Sequence, residues 1–242
     1  MKIDMELCTG CETCYPYCPV AAITTVESQT GEMSEINQDV CVECGVCLKA
    51  EVCPTDAIYQ PELEWPRSIR AAFSNPKAPH SSGSGGRGTQ EMKTNDVTGR
   101  FRWGYAGIGL EMGRPGISST FKDLQTVAMA LAELGVEFEE ENPVTALMVD
   151  KKTGKINEDV LNERVLSAII ECKIETERLK EVLEALKAVS TKVDTVFSVS
   201  LISRLGADGN MPNVSIAKEA GFIPRPNTKT NVGLGRPLFE EV

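Results

Sequence analysis

Eight of the nine cysteines in this 242-residue chain fall between positions 8 and 53. They form two triplets, Cys8, Cys11, Cys14 and Cys41, Cys44, Cys47, displaced by 33 residues, and each triplet is followed by a Cys-Pro pair, Cys18-Pro19 and Cys53-Pro54. The flanks repeat as well, CPVAAI at 18–23 answering CPTDAI at 53–58. Self-similarity at a fixed offset marks an internal duplication. Densely spaced thiols either pair as disulfides or ligate metal, and the compartment decides between them. The opening MKIDMELC has no basic stretch leading into an apolar one, so a soluble cytoplasmic protein with reduced, metal-ligating cysteines is expected. A zinc site takes four ligands and has no use for two triplets plus two Cys-Pro pairs.

The run C8-x2-C11-x2-C14-x3-C18-P resembles that of the bacterial-type two-cluster ferredoxins. The resemblance covers residues 1–60 and implies two [4Fe–4S] clusters with crossed ligation. Cys8, Cys11, Cys14 and Cys53 would hold one cluster, and Cys41, Cys44, Cys47 and Cys18 the other. Two-residue spacers wrap the backbone round three corners of a cubane and aim amide N–H groups at its sulfurs. Each proline fixes φ and removes a donor, turning the chain away from the cluster. Gly10 and Gly45 stand inside the ligand loops, where close backbone approach favours a residue without Cβ. One departure stands out: Cys47 and Cys53 are separated by LKAEV, five residues where the family has three. The longer loop should alter the surface beside the cluster of Cys8, Cys11, Cys14 and Cys53 without removing a ligand.

These ligand loops need a scaffold, and composition allows one. With 41% hydrophobic residues, 20 glycines and 13 prolines in no strict period, the chain is neither disordered, collagen-like nor a coiled coil. No run approaches the roughly 20 apolar residues of a membrane span. The excess of 35 acids over 25 Lys and Arg argues against nucleic acid as a partner. Residues 1–60 carry only Lys2 and Lys49 against ten acids, a face that would steer docking to a basic patch or simply keep the protein in solution.

From 61 to 100 the chain reads as a Pro/Gly-rich linker, with Pro61, Pro66, Pro76 and Pro79, the lone His80 and the run SSGSGGRG at 81–88. Gly83, Gly85 and Gly88 match the letters of a dinucleotide fingerprint, but NPKAPH precedes them in place of a strand. Arg87, Lys93, Asn95, Asp96 and Arg100 could present polar groups to an anion from an ordered loop.

Residues 101–205 read as a split βαβ, a ferredoxin-like α+β domain with an antiparallel sheet. A strand in WGYAGIGLEM at 103–112 leads through Gly113-Arg114-Pro115-Gly116 to a helix capped by Ser119, with Phe121, Leu124, Val127, Ala128, Leu131 and Leu134 on one face and Gly135 at its end. Strands in VTALMVD and from Arg164 to Ile174 follow, then a helix from Thr176 bearing Leu179, Val182, Leu183, Leu186 and Val189, then a strand with Phe197, Val199 and Leu201 inward. Both helices would cover one sheet face and leave the other to a partner, a ligand or a second copy. Cys172 is expected in the core. Residues 206–242, with Pro212, Pro224, Pro226 and Pro237, read as an extended tail.

No Walker loop, H-E-x-x-H, G-x-S-x-G or radical-enzyme C-x3-C-x2-C spacing occurs, so a self-contained enzyme is not indicated. The expectation is electron transfer through two [4Fe–4S] clusters, as the iron–sulfur subunit or dedicated donor of an anaerobic oxidoreductase, docking a catalytic subunit or redox partner. The alternatives are a metabolite-sensing module with structural or redox-reporting clusters, and homo-oligomerisation through the split βαβ domain.

Overall fold

The computed structural model describes residues 1–29, 31–78, 86–89, 95, 97–114, 116–204, 206 and 208–223. The expectations attached to Pro79, His80, Gly83, Gly85, Lys93, Asp96, Pro115 and residues 224–242 lie outside these residues.

The first sixty residues close on themselves. Strand β1 (Lys2–Ile3) pairs antiparallel with β4 (Ile58–Tyr59), so the two ends of the cysteine repeat meet. Between them β2 (Ile23–Ser28) and β3 (Gly31–Ile36) form a hairpin, registered from Ile23 opposite Ile36 to Ser28 opposite Gly31. Its small core joins Met1, Ala22, Ile23, Ile36 and Ile58 to Cys14, Cys41 and Cys47. Where the first half turns through a 3-10 helix at Tyr15–Tyr17, the longer second spacer completes α1 (Val46–Lys49) and stops at Glu51, whose φ is +52°.

The 61–100 stretch is more than a linker. It contains α2 (Ser68–Ser74), fitted between Pro66 and Pro76. The ring of Phe73 meets that of Phe121 edge-on at 5.2 Å, and the Ser74 hydroxyl accepts the Leu166 N–H at 2.9 Å.

Next come β5 (Tyr105–Met112), β6 (Ser119–Thr120), α3 (Phe121–Ala132), β7 (Glu137–Phe138), β8 (Met148–Asp150), β9 (Lys155–Ile156), β10 (Arg164–Val165), β11 (Ala168–Glu175), α4 (Leu179–Ser190), β12 (Phe197–Ile202) and α5 (Pro212–Glu219). The main sheet has the antiparallel order β12-β5-β11-β7. Along β5 the pleat buries Ala106, Ile108, Leu110 and Met112 against α3 and α4, the period-2 pattern of a strand with one core face. Both helices bury the residues their 3.6-residue periodicity selects, from Phe121 to Leu131 and from Leu179 to Val189. Cys172 is fully buried in this core.

Four expectations need correction. The helix cap is Thr120, one residue beyond Ser119: its hydroxyl accepts the Asp123 N–H while the Asp123 carboxylate accepts the Thr120 N–H, a capping box. Ser119 is instead buried in β6, opposite Val165. The segment VTALMVD does not enter the main sheet; its end pairs with β9, and the sheet's edge is the two-residue β7, opposite Cys172 and Lys173. The tail is not extended at its start, because α5 packs on α4, with Asn213 donating to the Ile202 carbonyl at 2.7 Å. Finally, the sheet face away from the helices is partly covered by the chain itself. Fully buried Phe101 lies so close over Gly107 that a Cβ there would come within 2.5 Å of its ring, and Arg87–Thr89 runs along β11, with the Ile169 N–H donating to the Arg87 carbonyl at 2.7 Å.

Candidate iron–sulfur centres

The repeat is visible in the backbone. φ is positive at Gly10 and Glu43 (69° and 56°), at Glu12 and Gly45 (58° and 68°), and at Ala21 and Asp56 (51° and 54°). The first four residues lie between successive cysteines of the triplets and curl each loop so that its thiols face inward. The last two follow the Cys-Pro pairs, and their left-handed turns swing the next amide back onto sulfur. The Ala22 N–H thus donates to Cys18 Sγ at 3.1 Å, and the Ala57 N–H to Cys53 Sγ at 3.2 Å. On the hairpin, the Ser34 N–H reaches Cys8 Sγ at 3.5 Å.

Two cavities result. The first, about 300 Å³ of empty space, is lined by Cys8, Cys11, Cys14 and Cys53, with Ile3, Ser34 and Ala57 among its walls. The second, about 290 Å³, is lined by Cys18, Cys41, Cys44 and Cys47 with Met1, Ala22 and Ile36. Each cavity therefore takes three cysteines from one half of the repeat and one from the other, with Cys53 and Cys18 as the crossing thiols. Among the described residues no three His, Cys, Asp or Glu side chains gather tightly enough for a single metal ion. Four soft thiolate donors spread round a cavity suit a polynuclear iron–sulfur group better than a mononuclear zinc, whose ligands converge within about 2.3 Å of one point.

The two quartets differ in environment. In the first, Cys11 is exposed, Cys8 and Cys53 are half-buried and Cys14 is buried, whereas in the second Cys41, Cys44 and Cys47 are buried and Cys18 is half-buried. Burial pushes the free Cys47 thiol up to about 12 and raises Cys14, Cys41 and Cys44, because a bare thiolate is poorly solvated there. Cys11 is lowered, first by the Thr13 hydroxyl at 3.3 Å. At Cys53 burial acts upward, but hydrogen bonds from Thr55, Ala57 and Ile58 outweigh it and hold the thiol below its ordinary value.

Cysteine spacing did not reveal the charged groups behind the second quartet. Glu43, inside its ligand loop, is completely buried. It pairs with the Met1 amino group and with Arg67, whose Nη2 lies 2.5 Å from Oε1, and accepts from Gln60 at 3.1 Å. Burial alone would push the Glu43 carboxyl up; these donors together hold it below the usual carboxylate range. Arg70, also buried, donates through Nη1 to the carbonyls of Gln38, Asp39 and Cys41 at 2.9, 3.3 and 2.7 Å. The available signal was WPRSIR, two arginines three apart just after the repeat, which place both guanidiniums on one side of a helical turn.

The 4Fe-4S dicluster domain family matches residues 7–62. Ferredoxin-1 of Rhodobacter capsulatus is 40% identical over 67 residues, covering 25% of this chain and 94% of its own length. Pyruvate synthase subunit PorD of Methanocaldococcus jannaschii is 39% identical over 56 residues, covering 23% of this chain and 59% of its own. An uncharacterized ferredoxin of the same organism is 34% identical over 56 residues, covering 23% of this chain and 70% of its own. No solved structure matches the chain. Crossed cysteine quartets on a duplicated backbone, together with a ferredoxin aligned over nearly its whole length, make the chain a member of the bacterial-type two-cluster [4Fe–4S] ferredoxin family through its first sixty residues.

Proposed function

We propose that the chain transfers electrons through two [4Fe–4S] clusters, held by Cys8, Cys11, Cys14 and Cys53 and by Cys18, Cys41, Cys44 and Cys47. The observation that carries this reading is the segregation of the eight thiols into two separate cavities. When bound, each cluster supplies a one-electron carrier. The protein's part is to shape two sites of unequal exposure: amides at Ala22, Ala57 and Ser34 donate to the sulfurs, and apolar Ile3, Ile23 and Ile36 restrict water. The exposed Cys11 makes the first site the one from which electrons exchange with another protein.

The likeness to PorD, by its name a subunit of pyruvate synthase, supports a role as the iron–sulfur subunit or donor of an oxidoreductase. In this reading residues 1–60 are the carrier, 61–100 join it to the body, and the 101–205 sheet domain with the following segment docks the catalytic partner. A sensing role is less well supported. The cleft beside Thr98, Arg100, Tyr105, Glu139 and Lys173 is roomy, but Arg100 and Lys173 are already paired with Glu137, and Arg100 with Glu139. No helix among the described residues is long and apolar enough to cross a membrane.

The test is anaerobic purification with iron and sulfide analysis, followed by co-purification from the native host. About eight irons and eight sulfides per chain are expected, together with an oxidoreductase subunit. Zinc in place of iron and sulfide would refute the proposal.

A further inference from the structure

This inference deepens the reading just given and rests on it. The second quartet is gripped from outside the ferredoxin segment. Arg70 stands on α2, which is anchored to the sheet module by Phe73 against Phe121 and by Ser74 on the Leu166 amide. From there its Nη1 reaches the carbonyls of Gln38, Asp39 and Cys41, the last belonging to a cysteine of the quartet. On its far side Nε pairs with Glu163, which stands just before β10 in the sheet module. The Arg70 side chain is 7% exposed, so water does little to screen its charge. The first quartet lacks this arrangement: among the described residues, no arginine bonds the carbonyls of Met5, Glu6 and Cys8, the counterparts 33 positions earlier.

A fixed cation held against a cluster-binding loop favours the added electron, and an anion behind it opposes that effect. We infer that Arg70 and Glu163 are a charge pair through which the sheet module sets the reduction potential of the cluster held by Cys18, Cys41, Cys44 and Cys47, Arg70 raising it and Glu163 lowering it. The two sites of one duplicated fold are thereby made unequal by a residue that the duplication does not contain.

The experiment is an EPR-monitored potentiometric titration of the full chain, reconstituted anaerobically, as wild type, Arg70→Gln, Arg70→Lys and Glu163→Gln, with iron and sulfide counted first. Arg70→Gln should lower one of the two potentials, Glu163→Gln should raise that same one, and Arg70→Lys should leave it near wild type. The other potential should stay in place in all three. A purely structural bridge predicts that Arg70→Gln and Glu163→Gln, which break the same pair, act alike; shifts of one sign, or no shift, overturn the inference. If Arg70→Gln fails to hold its second cluster, Glu163→Gln decides, because an unmoved or lowered potential in that variant is enough to reject it. A wild-type chain that holds no reducible clusters would instead sink the underlying electron-transfer reading.

Discussion

Glu43 occupies in the second ligand loop the place that Gly10 holds in the first, and Gly45 the place of Glu12. The duplication thus supplies its own control on why glycine is needed. All four positions turn through positive φ, yet two of them carry a glutamate side chain, so the left-handed backbone alone does not demand glycine. At Gly10 the neighbour does: a Cβ would sit 2.2 Å from the Glu32 carbonyl oxygen, which belongs to the hairpin backbone. At Gly45 the nearest atoms belong to the Lys49 and Asn75 side chains, from 3.5 Å. Gly10→Ala is therefore expected to displace the hairpin from the first cavity and lose about half of the cluster iron of a two-cluster chain. Gly45→Ala should keep all of it and cost only about 1 kcal/mol in denaturant unfolding. Equal iron content in the two variants would show that the Glu32 contact is not what fixes Gly10.

Among the secondary-structure elements, α3 and α4 were the most legible, because the apolar positions that recur with helical period are buried, except Leu134, which lies beyond the end of α3 and is only partly buried. The cap was missed by one residue, since Ser119 and Thr120 are both good caps by type and only the reciprocal bond from Asp123 separates them. Thr120→Ala should cost about 1 kcal/mol of unfolding free energy, and Asp123→Ala more, because the Asp123 carboxylate also accepts the Asp194 N–H. An unchanged Thr120→Ala midpoint would show that the box contributes nothing. The edge strand β7 was illegible because two residues carry too short a pattern, and its pairing with Cys172 and Lys173 comes from tertiary contact. VTALMVD looked like a strand because Val144 and Met148 are core residues, yet they reach the core from a 3-10 turn and a separate hairpin. Pro212 counted among the prolines of an extended tail, yet it opens α5, where its missing N–H is no loss.

At the scale of the whole molecule, the two cysteine triplets and their Cys-Pro pairs were legible in their spacing, and their crossed grouping was implied by the resemblance to two-cluster ferredoxins. The join between the cysteine repeat and the sheet was not legible, because it is made by residues far apart in sequence. α2 is that join, with Phe73 and Ser74 fixed to one side and Arg67 and Arg70 reaching the other. Phe73→Ala should cost about 3–5 kcal/mol, the usual range for emptying a buried aromatic site. A loss below about 1 kcal/mol would mean that the two parts are held together elsewhere. Electron transfer as proposed requires both cavities to fill and cycle. The most direct measurement is a potentiometric EPR titration of the full chain after anaerobic reconstitution with iron and sulfide. Two reversible one-electron reductions at low potential are predicted, on about eight irons per chain; a chain that takes up a single metal ion, or binds iron without any reversible reduction, would contradict electron transfer through paired clusters.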